Sequence, residues 1–290
     1  MAFTDLMGLL RVRQWYKNLV VFLPLFFVGL VFVLNDFLLT LLGFLALCLF
    51  SSATYIINDM HDRKQDRLHP EKRLRPIAAG RVSLIAAAVI AGLLFLMALG
   101  IAYCLSITFM AVALVLFALS QLYTFWLKGE AFIDLLLLST NFVLRAVSGA
   151  FIIDISIISI SPWLVLCTFF LSLFLAAGKR EGDVSIIEKD KAVAQRKSLQ
   201  YYTPDITKTL TIISATLLIM SYSLYSFLSK YNYLLLTLPF ALYVIFRYLW
   251  LIRSGSYIAR HPEYAYKDWK LAAGVLLWLG GAFLIIYAAY

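Results

Sequence analysis

Nine apolar stretches of near-uniform length, parted by short polar segments, limit what this chain can become. They run over Trp15–Leu34, Phe37–Ile57, Ser83–Ala102, Cys104–Trp126, Ala131–Ile153, Ser161–Gly178, Thr209–Leu228, Tyr233–Ile252 and Leu271–Tyr287. Each is close to the ~20 residues with which an α-helix crosses a ~30 Å hydrocarbon core. The runs do not alternate polar with apolar, so helices and not a closed barrel must satisfy the backbone inside lipid. The expectation is an all-α integral membrane protein with nine transmembrane helices, forming one domain over residues 1–290. Composition agrees. The chain is 63% hydrophobic and 14% charged, whereas soluble domains carry roughly 25% charged residues.

The polar segments alternate in charge. The N-terminal segment through Lys17 and the loops near 58–82, 127–130, 179–208 and 253–270 together hold 22 of the 25 Lys and Arg. The intervening loops, near 35–36, 103, 154–160 and 229–232, hold only Lys230. The positive-inside rule then places the first set in the cytoplasm as cap loops, the N-terminus inside and the C-terminus outside a multi-pass cell (plasma) membrane protein. An odd number of spans requires the same result. The net charge of +9 is explained by topology, and basic residues split among short loops are not a nucleic-acid face. The first apolar run follows Arg11, Arg13 and Lys17 and ends without small residues suited to cleavage, so it reads as a retained span. Phe3, Leu6, Met7 and Leu10 recur at helical spacing, an amphipathic piece expected along the inner surface. Cys48, Cys104 and Cys167 lie in apolar stretches without CxxC spacing and read as small buried hydrophobes.

The chemistry concentrates just after the second span. Asp59, Asp62 and Asp66 are spaced i, i+3, i+7, which puts them on one face of a helix. Three like charges on one face call for a cation between them. Carboxylate oxygens suit Mg²⁺, which takes one or two of them together with substrate phosphates and waters. Asn58 can add an uncharged oxygen or orient a water. Lys72, Arg73 and Arg75 follow closely and can hold an anionic leaving group. The bland alternative is a solvated loop whose charges mark the inner face.

Asn58-Asp59-x-x-Asp62-x-x-x-Asp66, followed by Arg75-Pro76-Ile77-Ala78-x-Gly80, resembles the first aspartate-rich motif of the UbiA superfamily of intramembrane prenyltransferases. Arg13-Gln14-Trp15-x-Lys17-Asn18, His69-Pro70-x-Lys72-Arg73 and Gly178-Lys179-Arg180, with Arg196-Lys197-Ser198-Leu199 and Tyr202 beyond, resemble its phosphoribosyltransferase branch. The resemblance spans about Arg11 to Asp268. It implies a UbiA-type bundle with a central cavity open to the cytoplasmic side. It also implies a Mg²⁺-dependent transferase whose donor is phosphoribosyl pyrophosphate (PRPP) and whose acceptor is a polyprenyl phosphate such as decaprenyl phosphate. Asp59, Asp62 and Asp66 would be the catalytic, metal-holding carboxylates. Lys179, Arg180 and Lys17 would meet the donor's 5-phosphate. Aromatic prenyltransferases of the superfamily carry a second aspartate-rich motif where this chain reads Gly178-Lys179-Arg180-Glu181-Gly182-Asp183. Asp183 or Glu181 would fill the acid's place, and whether a second metal binds stays open.

Other residues have two readings each. Arg145 lies mid-span, where a charge is costly, so it faces a polar cavity or a partner, either Asp134 or a substrate phosphate. Arg247 is expected to snorkel to the interface. Tyr123 and Lys128 reach the cavity or anchor the interface, and Asp268 is a family acid or a helix cap. His61, His69 and His261 have no metal-binding spacing. The competing activity is transfer of a prenyl group from a prenyl diphosphate to an aromatic or lipid acceptor. A transporter would show internal repeats and midplane charges, and the charges here gather at one surface.

Overall fold

The computed structural model describes residues 3–68, 72–153, 160–186, 201–231 and 233–288. Among these, eight helices are long and apolar enough to cross a membrane. The chain folds as two compact units, one of Met1–Leu127 with Leu144–Ser159, the other of Lys128–Val143 with Ile160–Tyr290.

The first unit opens with α1 (Phe3–Leu10), a 3₁₀ segment (Val12–Phe22) and α2 (Leu23–Val28). The expected first span is therefore no single α-helix, and among the described residues the candidate α-helical spans number eight. The reason is local: Trp15 Nε1 donates to Ser52 Oγ at 3.1 Å, and the buried Asn18 amide donates to Ser51 Oγ and Cys48 Sγ, each at 3.3 Å. These bonds fasten the segment to α3 (Leu34–His61), α3 being longer at both ends than the expected Phe37–Ile57. A short α4 (Arg63–Leu68) follows, then α5 (Leu84–Leu105) and α6 (Ile107–Phe125). Ala46, Ala98, Ala102 and Ala113 are fully buried with Phe50 and Phe109. Small residues let helix backbones approach where lipid supplies no hydrophobic drive between helices. α1 does not merely lie along a surface: Leu9 is buried with Ile56 and Ile77, and Arg81 Nε pairs with Asp5 at 2.7 Å. Cys104 is exposed, against expectation, whereas Cys48 and Cys167 are buried.

α7 (Ile133–Ser148) contributes to both units. The second unit contains α8 (Pro162–Ile186), α9 (Pro204–Leu228), a 3₁₀ turn (Leu234–Thr237) running into α10 (Leu238–Arg253), α11 (Tyr257–Arg260) and α12 (Trp269–Tyr287). Tyr222 on α9 ties this unit, its hydroxyl 2.5 Å from Thr237 Oγ1 and accepting the Trp278 Nε1–H at 2.7 Å. α8 and α9 extend into what were expected to be loop residues 179–208. Large apolar side chains such as Ile85, Phe227 and Leu276 are exposed, as lipid-facing helices require.

Gly149 shows how tight the first unit is: a Cβ there would collide with the Val21 carbonyl oxygen. Gly149→Ala is expected to lower stability by about 1–3 kcal/mol, the usual cost of overpacking. Gly92→Ala, where a Cβ meets nothing within 4 Å, should leave the thermal midpoint in detergent unchanged or raised.

Candidate functional site

In the first unit, α3 runs on through Asn58 and Asp59 to His61, and Asp62 caps it. Asp62 N–H donates to the Asn58 carbonyl and Asp66 N–H to the Asp62 carbonyl, both at 2.9 Å. Helical hydrogen bonding thus crosses the break into α4 and keeps Asp59 and Asp66 on one side. Both carboxylates are buried, and Arg75 Nη1 joins them, 3.1 Å from Asp59 Oδ1 and 2.6 Å from Asp66 Oδ2. Arg11 grips Asp59 from another side, through Nη2 and through Nε at 3.3 Å. Asp62 is half-buried, its Oδ1 4.0 Å from His61 Nε2.

The segment carrying Arg75 is itself held. Arg75 N–H donates to the Lys72 carbonyl at 3.0 Å, Arg67 Nε to the Ala78 carbonyl at 3.0 Å, and Arg81 Nη2 to the Leu74 carbonyl at 2.7 Å. Ile77 is fully buried. Gly80 takes φ +78°, a left-handed turn that glycine adopts without strain. Lys72 is half-buried in the 3₁₀ turn Lys72–Leu74. His69 and Pro70 of the expected motif lie outside the described residues.

The donor chemistry fits a hard divalent ion. Asp59 and Asp66 already share one cationic atom, and two carboxylates are what Mg²⁺ takes beside phosphates and waters. No group of three or more acidic, histidine or cysteine side chains able to hold a metal occurs among the described residues. The full aspartate triad is therefore not assembled in this structure.

One helical turn before Asp59 stands Tyr55. Arg11 lies over its ring, 4.9 Å from the centroid. Lys17, Arg145 and Arg11 are the charged neighbours of its hydroxyl. Arg145 Nε is shut off from solvent and has no hydrogen-bond acceptor. Tyr123 is half-buried on α6. Sequence reasoning missed Arg11 and Tyr55 as site residues. Arg11 was counted only for topology; the available signal for Tyr55 was its place four residues before Asp59.

The second unit turns its charges on one another. Lys179, Arg180, Glu181 and Asp183 lie on α8, not in a loop. Arg180 is buried, with Nη2 3.0 Å from Asp134 Oδ2 and Nη1 3.6 Å from Asp183 Oδ2. Asp183 also meets Arg260 Nε at 3.0 Å, and Glu181 meets Arg253 Nη1 at 2.8 Å. The Tyr202 hydroxyl donates to Asp134 Oδ1 at 2.7 Å and accepts the Phe132 N–H at 2.9 Å. Burial first, and the carboxylate of Asp134 second, push the Tyr202 phenol well above its usual range. Asp134 thus serves Arg180 and Tyr202. Arg247 does not simply snorkel: its Nε and Nη2 reach Asp268 Oδ1 and Oδ2 at 3.1 and 2.7 Å. Asp268 also caps α12 by accepting the Leu271 N–H at 2.7 Å, and the Arg247 bond, more than the cap, holds its carboxyl below the ordinary range. Lys179 is exposed, and Lys128 is half-buried in the turn Leu127–Gly129. Residues 196–199 lie outside the described residues.

The helix order, the aspartate pair and the arginines clasping it can now be set beside known proteins. The model of the UbiA prenyltransferase family matches residues 18–269. The chain belongs to that family. Its relatives include the decaprenyl-phosphate phosphoribosyltransferase of Mycolicibacterium smegmatis, 36% identical over 98% of this chain and 93% of that protein. The enzyme of the same name from Corynebacterium glutamicum is 34% identical over 97% of this chain and 85% of its own. Among solved structures, a UbiA homolog from Archaeoglobus fulgidus bound to GPP and Mg²⁺ is similar with TM-score 0.73 at 17% identity, covering 97% of this chain and 99% of that one. At that identity the likeness shows the fold: all-helical and UbiA-like.

The Asp134–Arg180 pair is almost wholly buried, with side-chain exposures of 0% and 5%. Removing one partner strands a charge, so Asp134→Asn and Arg180→Met should each cost about 3–5 kcal/mol. Tyr202→Phe should cost about 1–3 kcal/mol, since the Phe132 N–H loses the hydroxyl that accepts it. Thermal unfolding in detergent checks all three. Unchanged stability in Arg180→Met, with a raised donor KM, would mean that Arg180 serves substrate and not the fold.

Proposed function

We propose that this UbiA-family transferase moves 5-phosphoribose from PRPP to a polyprenyl phosphate, decaprenyl phosphate by analogy with its relatives, and releases pyrophosphate. The observation that carries the reading is the buried Asp59–Arg75–Asp66 arrangement. It provides paired carboxylates for a metal and guanidinium groups for a diphosphate in one place. The relatives that share 34–36% identity over nearly the whole chain are phosphoribosyltransferases by name. The prenyl-donor alternative draws less support, because the similar structure bound to GPP and Mg²⁺ is 17% identical and shares the fold alone.

In this reading Asp59 and Asp66 would hold Mg²⁺, with Asp62 and Asn58 beside them on the same stretch of chain. When bound, the ion neutralises charge gathering on the departing diphosphate. Arg75, with Lys72 beside it, steadies the pyrophosphate oxygens. The acceptor phosphate has a second pKa near ~6, so its oxygen is already largely anionic at neutral pH and needs no strong base. That oxygen forms the new bond to the anomeric carbon. The bond from that carbon to the pyrophosphate oxygen breaks, and its electron pair leaves with pyrophosphate. The rate gain is positioning and electrostatics. Direct displacement inverts the carbon, giving a β-linked product from the α-donor; an α-linkage by NMR would reject this step.

The topology belongs to the same proposal. The 3₁₀ segment rises ~2.0 Å per residue, so with α2 it covers about 30 Å, enough for a ninth span. Nine spans would put the two ends on opposite sides, and the Lys and Arg gathered in the N-terminal segment and alternate loops favour a cytoplasmic N-terminus and a C-terminus outside the plasma membrane. The cavity then opens to the cytoplasmic side.

Radiolabel transfer from PRPP to decaprenyl phosphate tests the reading. It should require Mg²⁺ and stop in EDTA. Asp59→Asn and Asp66→Asn should each reduce turnover by roughly a thousandfold while helical content by circular dichroism is retained. Label moving only from a prenyl diphosphate would establish the alternative.

A further inference from the structure

Among the described residues of the second unit, Phe132 alone, glycine apart, has a positive φ, +64°. That region is costly for a bulky side chain. Burial of the ring does not explain it, since Phe132 is 46% exposed. The bend continues at the next residue, where the Ile133 N–H reaches back only to the Ala131 carbonyl, at 2.7 Å. Tyr202, seventy residues on, holds the backbone there. Its hydroxyl accepts the Phe132 N–H at 2.9 Å, and the two rings meet edge to face with centroids 5.6 Å apart. A strained backbone persists only where its surroundings over-determine it, and such places cluster at switches.

A row of polar contacts leads away from that catch. The Tyr202 hydroxyl donates to Asp134 Oδ1 at 2.7 Å. Asp134 Oδ2 takes Arg180 Nη2 at 3.0 Å, and Arg180 Nη1 stands 3.6 Å from Asp183 Oδ2. Asp183 Oδ1 is 3.0 Å from Arg260 Nε. Arg260 ends α11, which sits hard on α8: a Cβ at Gly182 would come within 2.9 Å of Arg260 Cγ and 3.7 Å of Ala259 Cβ. Ala259 is fully buried. Asp134 and Arg180 are nearly free of solvent, so a shift of one charge is felt by the next with little water to absorb it.

We propose that this row is a conformational device of the second unit. Phe132 is its strained spring and the Tyr202 hydroxyl its catch. Asp134, Arg180 and Asp183 carry the release of that catch to Arg260, so that the segment 128–133 and α11 loosen and close together. When the Tyr202 bond breaks, Phe132 can relax to a negative φ, which favours the open form. Asp134 then loses one of its donors, Arg180 is freer to move with it, and the grip of Asp183 on Arg260 is altered in turn. The physical warrant is a two-state element, the Phe132 backbone, whose balance both ends bias. Segments that order and release together are a common means by which an enzyme admits substrate and then excludes water. The device does not depend on which donor the enzyme uses.

Hydrogen–deuterium exchange of the full chain in detergent reads both ends at once, with the amides of α12 as the control. Tyr202→Phe should speed exchange across 128–134 roughly tenfold, and should also speed it in α11, two ion pairs beyond Asp134. Arg260→Gln leaves the Glu181–Arg253 pair in place to hold that segment, and should speed exchange in 128–134 as well as in α11. Phe132→Asn added to Tyr202→Phe should bring exchange back towards the parent rate, because asparagine takes a positive φ more readily than phenylalanine. A hydrogen bond that only supported the fold would give no such rescue. Arg260→Gln with Phe132→Asn supplies the same comparison should Tyr202→Phe fail to fold. Exchange that rises only at the substituted end, or that rises equally in α12, overturns the device. So does a double variant that exchanges no more slowly than its single parent.

Discussion

Two buried carboxylates bridged by one guanidinium group, with a second guanidinium on one of them, are the constraint around which the first unit is arranged. Asp59 and Asp66 repel each other in a place with little water to screen them, and an unpaired buried charge is among the costliest defects a fold can contain. Arg75 and Arg11 offset that repulsion. To do so, the chain must bring the residues after α4 back against the end of α3. It must also fold α1 so that Arg11 arrives from the opposite direction in sequence. The left-handed Arg11 backbone, φ +49°, marks where α1 gives way to the 3₁₀ segment. A local electrostatic requirement thus determines the course of three separate stretches of chain.

The two units treat charge differently, and the difference separates scaffold from chemistry. In the second unit acids and arginines are paired: Asp134 with Arg180, Asp183 with Arg260, Glu181 with Arg253, Asp268 with Arg247. Such pairs hold helix ends together and leave little to offer a ligand. In the first unit Arg75 spans two acids, and Arg145 Nε is buried without an acceptor among the described residues.

The sequence made the spans legible because lipid imposes a simple requirement: about twenty apolar residues per crossing. Eight helices followed. The first stretch departed because Trp15 and Asn18 bond across to α3, which hydropathy does not register. The aspartate motif was legible because like charges at helical spacing demand a cation. Its real geometry, with a cap at Asp62 and a bridge from Arg75, depended on a turn that spacing alone does not specify. Arg180 illustrates the opposite case. A Gly-Lys-Arg run at the end of a span suggests an anion site, yet the helix continues and aims Arg180 at Asp134, forty-six residues earlier in the chain. No local pattern announces a partner at that separation.

Arg145 shows what burial adds to a motif. Asp134 was its plausible acid by sequence, and had that pair formed, both charges would have been structural. Asp134 is instead bonded to Arg180 and Tyr202, and a membrane helix tolerates a residue such as Arg145 where it faces a partner or a polar cavity. The same reasoning applies to Gln121, whose amide would cost the apo protein stability to no purpose if nothing ever bonded to it. Pairs such as Asp134–Arg180 tie helices together, whereas Arg145 Nε and the Gln121 amide are buried without partners among the described residues.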